Sequence, residues 1–232
     1  MKFTDNLDNI NLKEKQVIGI DETGVGDYFT PLISVAAFLP QELEQWAIDL
    51  GVKDSKKLSE KQILFIAPKL IGKISYGSYK LTQKGYNSLS KNYNANELKF
   101  FSHIKALNTL LERDNQANLV IIDKYSTTNA ILKYYKNILV ENNWAKIQDP
   151  NIDIILLEKA ESISLSVACA SIIARYLLIK HMQEQNKQWN FIFPLGANSA
   201  VQDKVLEFEQ LHGKTALNEV CKTTFKIRKH TN

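Results

Sequence analysis

Short apolar segments of this chain end directly in carboxylates. Residues 17–22 are β-branched and apolar up to the acidic pair Asp21 and Glu22, and a glycine-rich stretch follows them. Residues 119–123 have the same character and end in Asp123. Runs of this composition and length are typical of buried strands, and a charge at the end of a buried strand is costly unless it is paired or binds a cation. The pattern therefore predicts a sheet with several acidic groups along one edge.

The other predicted elements place helices around that sheet. After a second strand at 32–38, helices and strands alternate, which is typical of an α/β fold with a mixed central sheet flanked by helices and a helical C-terminal segment. We predict a single domain over residues 17–232 after a short lead-in, 1–16, because no repeat, low-complexity segment or flexible linker divides the chain. The further elements are a helix at 59–70, an edge strand at 73–81, helices at 94–111 and 127–140, a strand at 152–157, a helix at 161–185, and a helix at 201–211 that stops at Gly213 before a last helix or loop to Asn232.

Composition narrows the class of protein without giving its function. The 232 residues are 44% hydrophobic and carry 29 Lys and Arg against 25 Asp and Glu, a net charge of +4, which excludes a disordered chain. No uninterrupted apolar run reaches the roughly 20 residues of a membrane span, and residues 1–15 lack the apolar core of a signal peptide. Cys169 and Cys221 form neither a disulfide framework nor a zinc motif, and Cys169 is expected to be a small buried helix residue. We expect a reduced, cytoplasmic protein with no membrane partner, whose mild positive charge permits nucleic-acid binding without requiring it.

The acidic positions suit a site for a hard divalent cation. Asp21, Glu22 and Asp123 stand at strand ends, where ligands collect in α/β sheets, and Glu161 opens the predicted helix at 161–185. Converging carboxylates repel one another, and oxygen ligands with no Cys or His partner fit Mg²⁺ or Mn²⁺. Because successive strand residues point to opposite faces, Asp21 and Glu22 can share a site only if the strand bulges or ends between them. The alternative is that Asp21 caps a turn and Glu22 is a solvated surface charge.

Two loops have the composition of phosphate- or ribose-binding segments. Gly24, Val25 and Gly26 could present backbone N–H groups to a ligand, although no Gly-Lys-Ser/Thr follows them as in a P-loop. A tight turn is the alternative for these residues. Residues 54–59 form a polar, basic loop just before a helix and suit a phosphate, with an ordinary solvated loop and helix cap as the alternative.

Longer motifs extend these segments, in order, from Val17 to Phe225. They are residues 19–31 (GIDETGVGDYFTP), 52–58 (VKDSKKL), 93–94 (YN), 121–123 (IID), 159–162 (KAES), 167–176 (VACASIIARY), 193–197 (FPLGA) and 222–225 (KTTF). Over nearly its whole length the chain thereby resembles the type 2 ribonuclease H family, and within it ribonuclease HIII. The resemblance to this subtype rests on four details: Gly26-Asp27-Tyr28-Phe29, Tyr93-Asn94, Lys-Ala-Glu in place of Lys-Ala-Asp, and Ala174-Arg175-Tyr176.

The resemblance implies an RNase H-like fold and endonucleolytic cleavage of the RNA strand of an RNA–DNA hybrid. It assigns as catalytic metal ligands Asp21, Glu22, Asp123 and Glu161, with Glu158 as the nearest rival of Glu161. Two divalent cations, Mg²⁺ or Mn²⁺, would clamp the scissile phosphate, one activating water and the other stabilising the leaving 3′-oxygen, so that the products carry 5′-phosphate and 3′-hydroxyl ends. The expected substrate-binding residues are Gly24, Val25, Gly26, Ser55, Lys56 and Lys57.

Two departures from the family pattern lead to further expectations. Val25 stands where ribonuclease HII typically carries an arginine, so we expect contacts through its backbone. Ribonuclease HIII usually has an N-terminal substrate-binding domain of TATA-binding-protein type. Only residues 1–16 precede the first predicted strand here, so we expect that domain to be absent and hybrid binding to be weak and strongly salt-dependent. We expect a monomer, and we assign no catalytic role to the histidines, which are His103, His181, His212 and His230.

Two other functions remain as alternatives. One is a ribonuclease HII-like enzyme that incises at single ribonucleotides embedded in duplex DNA. The other is a non-catalytic hybrid-binding module, which is disfavoured because all four acidic positions are occupied.

Overall fold

The sheet that carries the acidic groups has six strands. The structure, a computed structural model, describes residues 1–8, 10–114 and 116–225. The strands are β1 (Phe3–Thr4), β2 (Val17–Thr23), β3 (Leu32–Phe38), β4 (Ser75–Leu81), β5 (Leu119–Asp123) and β6 (Ile154–Leu157). They lie in the order β1-β6-β5-β2-β3-β4, in which the first four are parallel to one another and β3 is antiparallel to both β2 and β4. The predicted mixed sheet is confirmed.

Helices surround the sheet and continue into the C-terminal segment. They are α1 (Glu44–Leu50), α2 (Glu60–Ile71), α3 (Gln83–Leu89), α4 (Ala95–Leu111), α5 (Thr128–Tyr135), α6 (Leu165–Trp189) and α7 (Ser199–Val220). Short 3₁₀ turns occur at Leu12–Glu14, Gln41–Leu43, Ser55–Lys57 and Ala160–Ser162, and a wider π turn at Lys136–Glu141.

Helices α4 and α6 cover opposite faces of the sheet. Ile18 and Ile20 of β2 belong to an apolar cluster with α4 side chains such as Phe100. Gly19, between them, faces α6, where an added Cβ would lie 2.1 Å from the backbone nitrogen of Val167. Alternate strand residues point to opposite faces, and the missing side chain at residue 19 lets α6 lie directly on β2.

Helix α6 passes through the largest apolar cluster of the protein. By length and composition it is the one helix among the described residues that could cross a membrane. Its small and apolar residues, including Ala168, Cys169 and Ala170, are instead buried against the sheet and α2. The predicted close packing of this helix on the sheet is therefore present, and Cys169 is the small buried residue that we expected.

Several elements match their predicted bounds and caps. β3 spans 32–38 and β4 lies at the sheet edge, as predicted. Ser59 caps α2 in a reciprocal pair of hydrogen bonds with Gln62. The C-terminal helix breaks at Gly213, where φ is 81° and ψ is 168°, in agreement with the predicted stop. The predicted last helix or loop toward Asn232 lies outside the described residues beyond Phe225.

The predicted start of the long helix is wrong. Helix α6 begins at Leu165, and Glu161 lies before it on the separate turn Ala160–Ser162. Ser164, between that turn and the helix, has extended backbone angles (φ −124°, ψ 120°), so the turn does not continue into α6. Glu161 is therefore held by a turn and not by the first turn of the helix.

Other differences concern elements with weak sequence patterns. The helix predicted at 127–140 ends at Tyr135 and continues as the π turn. Strand β1 and helices α1 and α3 have no counterpart among the predicted elements. Because β1 pairs with β6, the predicted lead-in of residues 1–16 contributes a strand to the sheet.

Candidate active site

Asp21 and Asp123 lie side by side at one end of the sheet. Their strands, β2 and β5, are parallel, and Ile20 pairs with Ile122, so the following aspartates share the same edge and the face that α6 covers. One Asp21 oxygen accepts a hydrogen bond of 2.8 Å from the backbone N–H of Glu22. The pairing of these two strands thus brings together carboxylates that are far apart in sequence.

Burial raises the pKa of Asp21 to about 8. The negative charge of Glu22 adds to this shift, and that of Asp123 adds a smaller part, whereas a hydrogen bond from Ser171 opposes it. Both raising effects disfavour the ionised carboxylate. A bound cation would reverse them, because it would favour the ionised form.

Glu161 is held beside these aspartates by the turn between β6 and α6. Asp123 accepts a 2.9 Å hydrogen bond from the backbone N–H of Ala160, which fixes this turn to the end of β5. The Glu161 side chain is only 10% exposed, and its Oε1 lies 3.0 Å from Nζ of Lys56. Its Oε2 is buried and has no hydrogen-bond partner among the described residues. Glu158, the rival position, is exposed.

Glu22 points to the other face of the sheet, toward α4. Strand β2 continues in regular register through Thr23, which pairs with Ile33, so the bulge that would turn both acids to one face does not form. Glu22 Oε1 lies 2.8 Å from Nζ of Lys99, and Oε2 lies 2.8 Å from Nε2 of His103. Burial opposes ionisation of Glu22, but the hydrogen bond and charge of His103, together with Lys99, hold its pKa at about 2.

No sequence motif placed His103 near the acids, but the structure brings it into contact with Glu22. Its ring is fully buried, contacts Glu22 through Nε2, and packs edge-on against Tyr125 with ring centroids 5.4 Å apart. The one available signal is the four-residue spacing of Lys99 and His103, which places both on the same side of α4. The other described histidines contact no acid of this group: His181 bonds to Gln185 at 3.2 Å and His212 stacks on a phenylalanine. His230 lies outside the described residues.

The basic loop before α2 presents its lysines beside Glu161. The side chains of Lys56 and Lys57 are 74% and 71% exposed. The hydrogen bond to Glu161 raises the pKa of Lys56, and the charges of Glu161, Asp21 and Asp123 add to that shift against the effect of burial. Ser55 is buried, and its hydroxyl lies 2.7 Å from that of Ser171 on α6. Ser55 therefore anchors the loop, while the lysines face solvent.

The glycine loop leaves the sheet directly after the acidic pair. Gly24 has φ at 81°, and its carbonyl accepts hydrogen bonds from the side chains of Thr30 and Lys222. Val25 is half-buried, and its side chain packs against an apolar cluster. Gly26 is exposed, and an added Cβ would meet no described atom within 4 Å. Gly26 is thus the part of the loop that a ligand can approach most closely.

The donor set fits a hard divalent cation, although the side chains do not yet enclose one. Among the described residues, no three His, Cys, Asp or Glu side chains are grouped closely enough to hold a metal ion as they stand. Asp21, Asp123 and Glu161 nevertheless face one corner with carboxylate oxygens, the ligands that Mg²⁺ and Mn²⁺ prefer. A cation would give the buried, unpartnered Oε2 of Glu161 a ligand to bind. It would also offset the charge repulsion that disfavours ionisation of Asp21.

The chain matches known proteins over most of its length. The family model described as Ribonuclease HII matches residues 18–228. Ribonuclease HIII of Lactococcus lactis subsp. lactis (strain IL1403) is 35% identical over 216 residues, which cover 92% of this chain and 71% of that protein. Ribonuclease HIII of Phytoplasma mali (strain AT) is 32% identical over 225 residues, which cover 94% and 75%. A solved structure of Bst-RNase HIII in complex with Mn²⁺ is similar with a TM-score of 0.82 and 28% identity, covering 91% of this chain and 67% of that one.

Proposed function

The chain belongs to the type 2 ribonuclease H family, in its ribonuclease HIII group, and from this membership we propose how its site cleaves a nucleic acid. As a member, it is an endoribonuclease that acts on RNA–DNA hybrids with divalent metal ions. We infer that Asp21, Asp123 and Glu161 would hold two such cations, Mg²⁺ or Mn²⁺, at the scissile phosphate of the RNA strand. Glu22 would join them as the fourth ligand only by leaving its contacts with Lys99 and His103 on the other face of β2. The products then carry 5′-phosphate and 3′-hydroxyl ends.

The observation that carries this proposal is the convergence of Asp21, Asp123 and Glu161. Asp21 and Asp123 stand on the neighbouring parallel strands β2 and β5, and the turn that carries Glu161 is bonded to Asp123, while burial and like charge raise the pKa of Asp21 to about 8. Such an arrangement is unfavourable for stability alone. It is favourable if the residues serve a cationic ligand, and perturbed pKa values of this kind cluster at functional sites.

Each polar group around the acids has a distinct part in this mechanism. When bound, the divalent cations supply an activated water and neutralise charge on the leaving 3′-oxygen. Asp21 holds a proton near neutral pH and releases it as it becomes a ligand. His103 and Lys99 hold Glu22 ionised and fixed in orientation.

The substrate is held by the two loops beside the acids. Lys57 and Lys56 would bind phosphates of the hybrid, and Lys56 would exchange its present partner, the carboxylate of Glu161, for a phosphate. Gly24, Val25 and Gly26 approach the ribose or phosphate through their backbone, since Gly26 offers the open side of the loop. The 2′-hydroxyl is the group by which this loop can distinguish RNA from DNA.

The decisive experiment compares the wild type with Asp123→Asn on a labelled RNA–DNA hybrid in Mg²⁺ or Mn²⁺. The amide removes a charge from the ligand set, so we expect kcat to fall by at least about 100-fold. The change in melting temperature on adding Mn²⁺ without substrate should shrink in parallel. Asp153→Asn is the matched control, since Asp153 is exposed and precedes β6 at the opposite end of the sheet. Full activity of Asp123→Asn would refute the proposed site.

A second substrate separates this enzyme from its alternatives. We expect efficient cleavage of a duplex with four or more consecutive ribonucleotides and poor cleavage of one with a single ribonucleotide. Efficient incision at the single ribonucleotide would favour a ribonuclease HII-like specificity. Binding of the hybrid without any cleavage in either metal would favour a non-catalytic module.

The remaining parts of the proposal concern the molecule as a whole. We propose that residues 17–232, with strand β1 of the lead-in added to their sheet, form a single catalytic domain that acts as a monomer in the cytoplasm. One chain supplies all four acids and both loops, and the free, buried thiols Cys169 and Cys221 suit a reducing compartment. Gel filtration of the purified chain tests the monomer directly.

A further inference from the structure

Lys222 is a fully buried lysine whose ammonium group lies against the glycine loop. It follows α7, and its side chain is 0% exposed. Its Nζ donates hydrogen bonds to the carbonyl oxygens of Gly24 and Asp27, the latter at 3.0 Å, and to the hydroxyl of Thr30 at 3.3 Å. Its backbone N–H donates to the carbonyl oxygen of Tyr28 at 2.8 Å. Every one of these acceptors belongs to the segment 24–30, between β2 and β3.

Such a buried charge is expensive and needs a compensating role. Burial lowers the pKa of Lys222 to about 8, in spite of the opposing charge of Asp27. The rings of Tyr86 and Phe225 lie 5.4 and 5.6 Å from its Nζ and supply favourable aromatic faces. An apolar residue at this position would leave the carbonyls of Gly24 and Asp27 without their buried donor, which costs free energy.

The segment 24–30 depends on such external contacts for its conformation. Gly24 adopts a positive φ, and an added Cβ would lie 2.1 Å from the carbonyl oxygen of Pro31. Thr30 donates to the Gly24 carbonyl at 3.1 Å, and Asp27 accepts from the backbone N–H of Gly196 at 2.6 Å. Lys222 is the residue that bonds to both ends and the middle of the segment.

We propose that Lys222 is a positioning residue for hybrid binding: its ammonium holds the segment 24–30 in the conformation in which the backbone of Gly24 to Gly26 contacts the RNA strand. Lys222 itself touches no substrate. The inference rests on the proposed function, because it assigns to the segment the substrate contacts proposed above.

The test compares Lys222→Met and Lys222→Arg with the wild type. Methionine keeps the length of the side chain and removes the donor. We expect the Kd for an RNA–DNA hybrid, measured in Ca²⁺ to slow cleavage, to rise by about tenfold or more, as for the loss of hydrogen bonds to a charged group. KM should rise more than kcat falls, and the hydrogen-exchange protection of residues 24–30 should drop. Lys222→Arg should recover part of the hybrid affinity and part of this protection. Lys84→Met is the matched control, because Lys84 forms an exposed ion pair of 2.6 Å with Glu219 of α7.

Two results would overturn the inference. One is a folded Lys222→Met protein with an unchanged Kd, and the other is reduced protection of residues 24–30 without weaker binding. If Lys222→Met does not fold, Thr30→Val replaces it, since it removes one acceptor of the ammonium and one donor to Gly24. An unchanged Kd and unchanged protection in Thr30→Val would then refute the inference. Failure of the wild type to cleave any hybrid would instead refute the proposed function. The two failures are distinguishable, because hydrogen exchange reports on the segment 24–30 whether or not the hybrid is cleaved.

Discussion

Asp21 and Glu22 are neighbours in the chain, yet their pKa values are displaced in opposite directions, to about 8 and about 2. The cause is the alternation of side chains along β2. Asp21 faces α6, where burial raises its pKa most and the charges of Glu22 and Asp123 add to the shift. Glu22 faces α4, where His103 and Lys99 stabilise its ionised form. Two neighbouring residues of β2 therefore place an acid that resists ionisation on one face of the sheet and a readily ionised acid on the other.

Asp21→Asn should stabilise the metal-free protein, and increasingly so as the pH rises. The pKa of Asp21 is raised in the folded state from 3.8 to about 8, so its ionisation costs nothing below pH 4, costs progressively more up to pH 8, and reaches a constant cost above it. Asparagine removes that cost. The quantity to compare is the free energy of unfolding of Asp21→Asn minus that of the wild type. We expect this difference to be larger at pH 9 than at pH 5 by at least about 1 kcal/mol, since one pKa unit corresponds to about 1.4 kcal/mol. Urea unfolding in EDTA at both pH values measures this.

The control and the metal response complete that experiment. Asp49→Asn changes an exposed acid on α1 and should show no such growth with pH. Addition of Ca²⁺ at pH 9 should stabilise the wild type more than Asp21→Asn, because only a binding-competent native state gains from the ion. A stability difference that is the same at pH 5 and pH 9 would contradict the origin of the shift.

At this scale the sequence predicted the acids but not their surroundings. Asp21 and Asp123 end apolar strands, a local pattern that any reader of the sequence can find. The contact of Glu22 with His103 joins residues 81 positions apart and depends on how α4 docks on β2. No local pattern encodes that docking, so the partner of Glu22 could not be found from spacing.

Helix α4 positions Glu22, and His103→Leu tests this. Leucine preserves the buried volume approximately but removes the hydrogen bond to the carboxylate. We expect kcat to fall by about tenfold or more, since hydrogen bonds to charged groups contribute about 1.5 to 3 kcal/mol. Calorimetric Mn²⁺ affinity should fall as well. His103→Gln, whose amide can donate to Glu22, should recover part of both.

A matched histidine provides the comparison for that variant. His181 is half-buried on α6 and bonds to Gln185, away from the acids. His181→Leu should therefore keep its Mn²⁺ affinity and kcat. Equal losses in the two leucine variants would mean that His103 contributes only to general stability.

Helix α6 depends on Gly19 for its position, and Gly19→Ala should be strongly destabilising. The new Cβ would lie 2.1 Å from the backbone nitrogen of Val167, a contact that only a shift of the helix or strand can relieve. We expect a loss of about 3 kcal/mol or more in the free energy of unfolding, at the upper end for overpacking. Gly72→Ala is the control, since its nearest atom would be 3.5 Å away at an ordinary φ of −80°. A Gly19→Ala protein as stable as the wild type would contradict the close packing of α6 on β2.

Elements were predictable where the local signal was strong. The β-branched run at 32–38 and the cap at Ser59 gave bounds that the structure confirms. The start of α6 was not predictable, because Asp123 fixes the backbone of Ala160 in a turn through a tertiary hydrogen bond. Strand β1 contains only Phe3 and Thr4 and forms because β6 offers a free edge.

At the scale of the whole molecule, charge is unevenly placed around the site. The net charge is +4, but the acids are drawn inward while Lys56 and Lys57 extend into solvent. We expect a surface of this kind to bind the hybrid through its phosphates, with an affinity that depends steeply on salt concentration.

Lys57→Ala should lower the salt dependence of hybrid binding. Removal of one phosphate contact is expected to make the slope of log K against log salt concentration shallower by about one unit. Lys73→Ala is the control: Lys73 is exposed just before β4, and β4 begins opposite Phe38, at the sheet end away from Asp21. Equal slopes for wild type and Lys57→Ala, measured by fluorescence anisotropy between low and physiological salt, would exclude this contact.

The hydrogen bonds between Lys222 and the segment 24–30 join two parts of the chain that are synthesised at very different times. A ribosome adds about 5 to 20 residues per second, and N-terminal parts of a chain emerge first. The segment follows β2, so it leaves the ribosome early, but the lysine that holds it is made almost 200 residues later. The nascent chain can pair its strands and gather its acids while the segment beside them has no anchor. The anchored form of the segment can therefore arise only after Lys222 has been synthesised.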